Sequence, residues 1–189
     1  PDPKIKKDAI VVQKIFGVPC KVMHPSGNGM RYMAWQIGKG KKLVAGKAYL
    51  LVIEYPEDLP RTMFIQNSAA ETRVAFHTGP TLGDGLLVPY INPNVESLSL
   101  PLSGKMRKWQ TVFVMQEKFP EIQFLRDMKD YPRNQTPQDG FWVTIAQLEK
   151  GSDPLSKGAA VASIKLYSLP DEAALFAPVK RPPAELPQR

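Results

Sequence analysis

Three places in this chain set an aromatic ring beside side chains that can hydrogen-bond. They are Tyr131 with Arg133 and Asn134, Tyr90 with Asn92, and Trp35 on an alternating stretch. A flat ring stacks on the apolar face of a pyranose, while neighbouring Arg, Asn and Asp side chains bond its hydroxyls. The chemistry these residues offer is recognition of a sugar. Tyr131, in a polar loop, is the first candidate, Tyr90 the second and Trp35 the third. The competing reading of the Tyr131-Pro132 and Pro89-Tyr90 pairs is plain loop packing. Trp109 lies in an apolar run and reads as core, and Trp142, between Phe141 and Val143, must face away from both.

Groups that could break bonds are sparse. The two histidines, His24 and His77, stand in a Pro-Ser-Gly loop and near a strand end, without a His-Glu-x-x-His helix or a Cys-x-x-Cys pair to build a zinc site. They read as ordinary histidines, and no metal is assigned. Cys20 has no basic partner fixed beside it and reads as a small buried apolar residue. The glycines of residues 79–85 lack the Walker ending and do not open a helix, so this segment is a bend that binds no phosphate. Glu54, Asp58, Glu96, Glu117 and Asp139 leave open a glycosidase-like carboxylate pair, because sequence spacing does not fix the separation such a pair needs. Most carboxylates in a β protein are solvated or bind turn amides. The expectation is therefore no catalytic residue and no cofactor.

The elements that must carry these residues are short. Residues 46–79 read as three successive strands, 48–55, 61–66 and 72–78, rich in β-branched and aromatic residues and separated by Pro, Asp, Asn and Ser turns. Upstream, residues 8–16 are nearly continuous in apolar residues, which predicts a strand covered on both faces and ended by Gly17 and Pro19. In 30–37, Arg31, Met33, Trp35 and Ile37 share one face and Tyr32, Ala34 and Gln36 the other. Residues 38–42 form a lysine-bearing turn. Downstream, residues 86–91 and 96–102 read as strands, with Leu98, Leu100 and Leu102 inward on a half-buried or edge element. Apolar on both faces, 109–115 reads as central. One short helix is expected after Pro120, where Ile122, Leu125 and Met128 form a stripe, with a further helical turn at 171–176. Residues 141–148 and 159–167 close the list of strands, and the short connections favour antiparallel neighbours.

With 189 residues the chain can hold one sizeable core. Nineteen prolines against thirteen glycines suit many short elements joined by turns, and the single cysteine excludes an internal disulfide. No run of apolar residues is long enough for a membrane span. Residues 1–7 read as a leading linker, 8–176 as one domain, and the Pro-rich 177–189 as a linker or tail of something longer. The net charge of +7 invites a nucleic-acid reading. The basic residues are scattered over turns and termini, though, without an RNP-like aromatic pattern or a basic helix, and turn lysines mainly keep β edges soluble.

About ten strands with one short helix place the chain among all-β, antiparallel β-sandwiches. The order of its features resembles the galactose-binding-like jelly roll used as an accessory domain in bacterial polysaccharide-degrading proteins. Three features carry the resemblance: the Gly46-Lys-Ala-Tyr-Leu-Leu-Val-Ile53 strand, the Leu100-Pro-Leu-Ser-Gly104 turn running into Lys108-Trp-Gln-Thr-Val112, and the closing strand at 159–167. It spans residues 8–168. The resemblance implies a noncatalytic carbohydrate-binding or spacer module, secreted or at a bacterial cell surface. Its partners would be a polysaccharide or oligosaccharide and neighbouring domains of the same polypeptide, with no membrane and no nucleic acid among them. A structural or protein-interaction sandwich without a small ligand is the alternative, and behind it a stand-alone glycoside-acting enzyme or a nucleic-acid binder.

Overall fold

The computed structural model of the chain describes residues 10–25, 27, 29–70, 72–79, 96–119, 135–147, 150 and 153–170. Among them are eleven strands: β1 (Ile10–Ile15), β2 (Val18–Met23), β3 (Arg31–Ile37), β4 (Ala48–Pro56), β5 (Arg61–Asn67), β6 (Thr72–Thr78), β7 (Glu96–Leu100), β8 (Met106–Val114), β9 (Phe141–Gln147), β10 (Ala159–Val161) and β11 (Ser163–Ser168). They form a five-stranded sheet in the order β3-β9-β5-β6-β7, a three-stranded sheet β11-β4-β8, and a smaller sheet β1-β2-β10. The result is an all-β sandwich. The helices expected at 120–128 and 171–176, the strand at 86–91 and the tail at 177–189 lie outside the described residues.

Strand alternation sets the core. On β4, Tyr49, Leu51, Ile53 and Tyr55 are all buried, as a period of two requires for the inner face of a half-covered sheet. Opposite them are Met63 and Ile65 of β5 and Phe141, Val143 and Ile145 of β9, none of which has measurable exposure. Phe113 of β8 joins the two layers. Its ring stacks on Tyr49 at 6.1 Å within one sheet and meets Phe141 of the other edge-on at 5.6 Å. Each fully buried side chain of this size stabilises the fold by about 1.5–3 kcal/mol relative to exposure. β5 lies between β6 and β9, and all seven of its residues are buried.

Several expectations are corrected. β1 is not covered on both faces: it is an edge strand with Val12 71% exposed, because its neighbour β2 belongs to a small sheet with little core to cover it. The strand ends ahead of Gly17 as expected, but Pro19 lies inside the next strand rather than at a boundary. Phe16 and Gly17, at φ 48° and 81°, form the two-residue turn of a β1–β2 hairpin, the mirror-image turn that matches strand twist. β8 is an outer strand of its sheet, with Val112 and Val114 59% and 53% exposed. Its apolar outer face continues across Leu50 and Tyr167 in the paired register. β4 and β5 are not paired neighbours, and the corner between them crosses from one sheet to the other. β6 and β7 pair in parallel, joined by a connection long enough for the crossover that parallel strands need.

The stretch expected as one closing strand is two. β10 pairs with β2 and β11 with β4, and the chain parts at Ala162, whose N–H donates to the Glu54 carbonyl at 2.8 Å. Gly158 makes the approach to β10 possible: at φ +96° it lies where a Cβ would overlap the Met23 carbonyl oxygen. The Gly158→Ala variant should therefore lose about 2–3 kcal/mol. That corresponds to a melting temperature roughly 5–10 °C lower by calorimetry, and a change under about 2 °C would contradict this account of the junction.

Candidate functional site

Trp35 sits on the inward face of β3, opposite Val143 in the β3–β9 register. Because β3 is the outer strand of its sheet, the ring is only partly buried against the core. It opens on a cleft of about 230 Å³ bounded by Val12, Pro19, Lys21, Ser163 and Ile164. The Lys21 ammonium lies 5.6 Å from the ring centroid. An exposed cation on a tryptophan face is worth about 0.5–1 kcal/mol, enough to orient the ring and small enough for a stacked ligand to displace. On the opposite wall the Ser163 hydroxyl donates to Glu54 Oε2 at 3.1 Å. The cleft thus combines one half-open aromatic face, an exposed cation and a serine hydroxyl whose carboxylate partner lies outside the lining.

Ile37, the next inward residue of β3, borders a second cleft of about 540 Å³ with Leu166 and Ser168 of β11 and with Lys41, Lys42 and Lys47. The loop at 38–47 is held firmly. Leu43 is buried in the core, the Val44 N–H donates to Tyr49 Oη at 2.9 Å, and Gly46 and Lys47 exchange backbone hydrogen bonds with Met115. Gly38, at φ +76°, turns the chain where a Cβ would press into the Leu43 side chain. Lys42 itself adopts φ +52°.

A third cleft, of about 330 Å³, has Arg61, His24, Lys150 and Lys157 among its walls. Its floor is already neutralised. Arg61, 2% exposed, forms a two-pronged pair with Asp58, Nε and Nη2 each 2.8 Å from a carboxylate oxygen, and donates through Nη1 to the Gly158 carbonyl at 2.9 Å. The pair ties the β4–β5 corner to the entry of β10.

Three of the carboxylates singled out in the sequence have structural partners. Glu54 is bonded by Ser163 and Asp58 by Arg61. Asp139 accepts from the Thr136 N–H at 3.0 Å and its hydroxyl at 2.9 Å, and the backbone bond leads in holding its carboxyl below the usual range. Glu117 is exposed. Burial pushes the Cys20 thiol up despite Arg61 nearby, which suits an inert core cysteine. His24 is exposed, while His77 is buried on β6 with no hydrogen-bond partner at Nδ1 among the described residues. No group of three His, Cys, Asp or Glu residues placed to hold a metal occurs among the described residues. Asp153, which carries no signal of a role in the sequence, is buried and accepts a hydrogen bond from the Thr62 hydroxyl. Trp109 packs partly buried against the core. Trp142 lies on the other face of the five-stranded sheet, partly buried, its backbone N–H donating to Ser68 Oγ at 2.9 Å.

Of the six sugar-binding nominees, only Trp35 falls within the described residues; Tyr131, Arg133, Asn134, Tyr90 and Asn92 lie outside them. Lys21 and Ser163, which frame its cleft, carry no local signal of that role in the sequence. They are far from Trp35 in sequence, and only sheet pairing brings them near.

No protein-family model and no curated protein matches this chain. Among solved structures it is similar to a chain in the structure of PfGH50B, at 12% identity over 87% of this chain and 23% of that one, with a TM-score of 0.36. The chain spans about a quarter of that protein's length, and a likeness this distant carries no argument about fold or function.

The Arg61–Asp58 pair gives a direct test of the corner. Removing the carboxylate with Asp58→Ala leaves a buried guanidinium short of a counter-charge, which should cost about 3 kcal/mol in chemical denaturation. A loss below about 1 kcal/mol, the size expected of a surface ion pair, would contradict that role.

Proposed function

We propose that this chain is a noncatalytic carbohydrate-binding module, a jelly-roll-like sandwich that serves a larger, secreted or cell-surface carbohydrate-active protein. The observation that carries this reading is Trp35, half-buried at the mouth of its cleft beside Lys21 and Ser163. A pyranose stacks on the open part of the indole and bonds the ammonium and hydroxyl at the rim. The carboxylates support a binding role over a hydrolytic one, since Asp58 and Asp139 are bound to structural partners. The apolar face of half-buried Leu50 and exposed Val112, Val114 and Tyr167 favours a second role in the same protein, as the surface that rests against a neighbouring domain.

One ring and a few wet hydrogen bonds on an open cleft give affinities nearer millimolar than nanomolar, about 4–6 kcal/mol in all. Affinity electrophoresis on a polysaccharide panel should show Trp35→Ala weakened roughly tenfold or more, about 1.4 kcal/mol, with Trp35→Phe intermediate. Full binding by Trp35→Ala with loss in Tyr131→Ala would move the site to the polar loop. Hydrolysis of any of these polymers by the isolated chain would contradict the noncatalytic reading.

A further inference from the structure

The two clefts on the β3 side share the same pair of walls. Trp35 and Ile37 come from β3, Ser163, Ile164, Leu166 and Ser168 from β11, and these are the outer strands of the two facing sheets. Successive inward residues on a strand are about 6.6 Å apart, and β11 runs roughly 17 Å from end to end. The clefts therefore follow one another along a single seam on the open side of the sandwich. Lys21 stands at the Trp35 end, and Lys41, Lys42 and Lys47 stand at the other. No carboxylate lines either cleft among the described residues. Of the acids nearby, Glu54 accepts a hydrogen bond from Ser163, and Asp139, bound by Thr136, acts electrostatically on Lys39 of the adjoining turn. Lys21, Lys41 and Lys42 form no ion pair among the described residues.

We infer that the β3–β11 seam is an extended site for an acidic polysaccharide, one bearing carboxylate or sulfate groups, with Trp35 as the stacking platform and the lysines as counter-charges at its two ends. The inference rests on the carbohydrate-binding reading and adds the charge class of the ligand. The loop anchoring described above places Lys41 and Lys42 on a rigid platform beside the groove, which lowers the ordering cost of binding. The lining chemistry favours a glycan over a nucleic acid. Single-strand binders repeat their stacking rings along the groove, and phosphate recognition favours the arginine fork. Here one open ring is accompanied by lysines, with no arginine among the described lining residues.

Lysines beside outer strands also discourage edge-to-edge pairing, and the test separates the two roles. Binding is measured by affinity electrophoresis for the parent, Trp35→Ala and the double variant Lys41→Gln/Lys42→Gln. The probes are hydroxyethylcellulose paired with carboxymethylcellulose, dextran paired with dextran sulfate, and a single-stranded oligonucleotide. Circular dichroism checks that each variant is folded. The expected result is that the parent prefers the charged member of a pair at least about tenfold at low salt, and that this preference falls steeply between about 50 mM and about 300 mM salt. The lysine double variant loses most of it while keeping any neutral-glycan binding, and Trp35→Ala weakens both. Equal, salt-insensitive binding of neutral and charged members that still depends on Trp35 would overturn the acidic ligand and leave the carbohydrate-binding reading standing. Binding to no polysaccharide would overturn both. Charged-polymer binding untouched by the lysine change, or an oligonucleotide bound more tightly than the charged glycans, would also overturn the proposal.

Discussion

One stretch of backbone has to serve two sheets, and the rest of the arrangement follows from how it divides. At Ala162 the chain leaves its pairing with β2 and takes up pairing with β4, an exchange fixed by the Ala162 N–H on the Glu54 carbonyl and by the Ser163 hydroxyl on the Glu54 side chain. Upstream of the division, Ala159, Ala160 and Val161 are buried in the core. Downstream, β11 becomes the outer strand of its sheet and borders the clefts whose other wall is β3. Stacked sheets sit about 10 Å apart, so where two outer strands oppose each other without a third to close the gap, a groove remains between them. The small sheet closes one end of that groove, and the anchored loop at 38–47 flanks the other. Buried Arg61 holds the same junction from its far side, through the carbonyl of Gly158.

The sequence was most informative where a single physical rule governed a strand. The alternation of 30–37, the turn chemistry between 61–66 and 72–78, and the β-branched run of 48–55 all correspond to observed strands, because local pattern and tertiary demand agree there. It misled where apolar content stood in for burial. Residues 109–115 and 8–16 are apolar on both faces, which reads as a covered strand, yet β8 and β1 each lie at the margin of a small sheet and leave valines in the open. Whether an apolar face is covered depends on which element arrives from elsewhere in the chain. The parallel pairing of β6 with β7 and the division at Ala162 were illegible for the same reason: both are choices between distant partners, and no local residue states them.

The candidate site was legible in part. Alternation alone put Trp35 on a strand face, but whether that face was open depended on β3 being the outer strand of its sheet. Lys21 and Ser163 come beside it only through the pairings of β2 and β11. By sequence alone the lysines of residues 38–42 are solubilising charges in a turn. What changes their meaning is the burial of Leu43, which fixes the loop beside a groove whose described lining carries no opposing acid. The carboxylates went the other way: possible catalytic pairs in the sequence, they include an arginine's partner in Asp58 and a turn cap in Asp139.

The central claim is that the seam between β3 and β11 is the ligand-binding face. Its most direct test is an NMR titration of the isotopically labelled chain with acidic oligosaccharides. The account predicts that shifts concentrate at Lys21, the Trp35 indole, residues 37–42 and residues 163–168, and that the exposed face of β8 stays unchanged. Shifts confined to the Leu50, Val112 and Val114 face, or to residues 80–95 and 120–134 with the Trp35 indole unmoved, would contradict it.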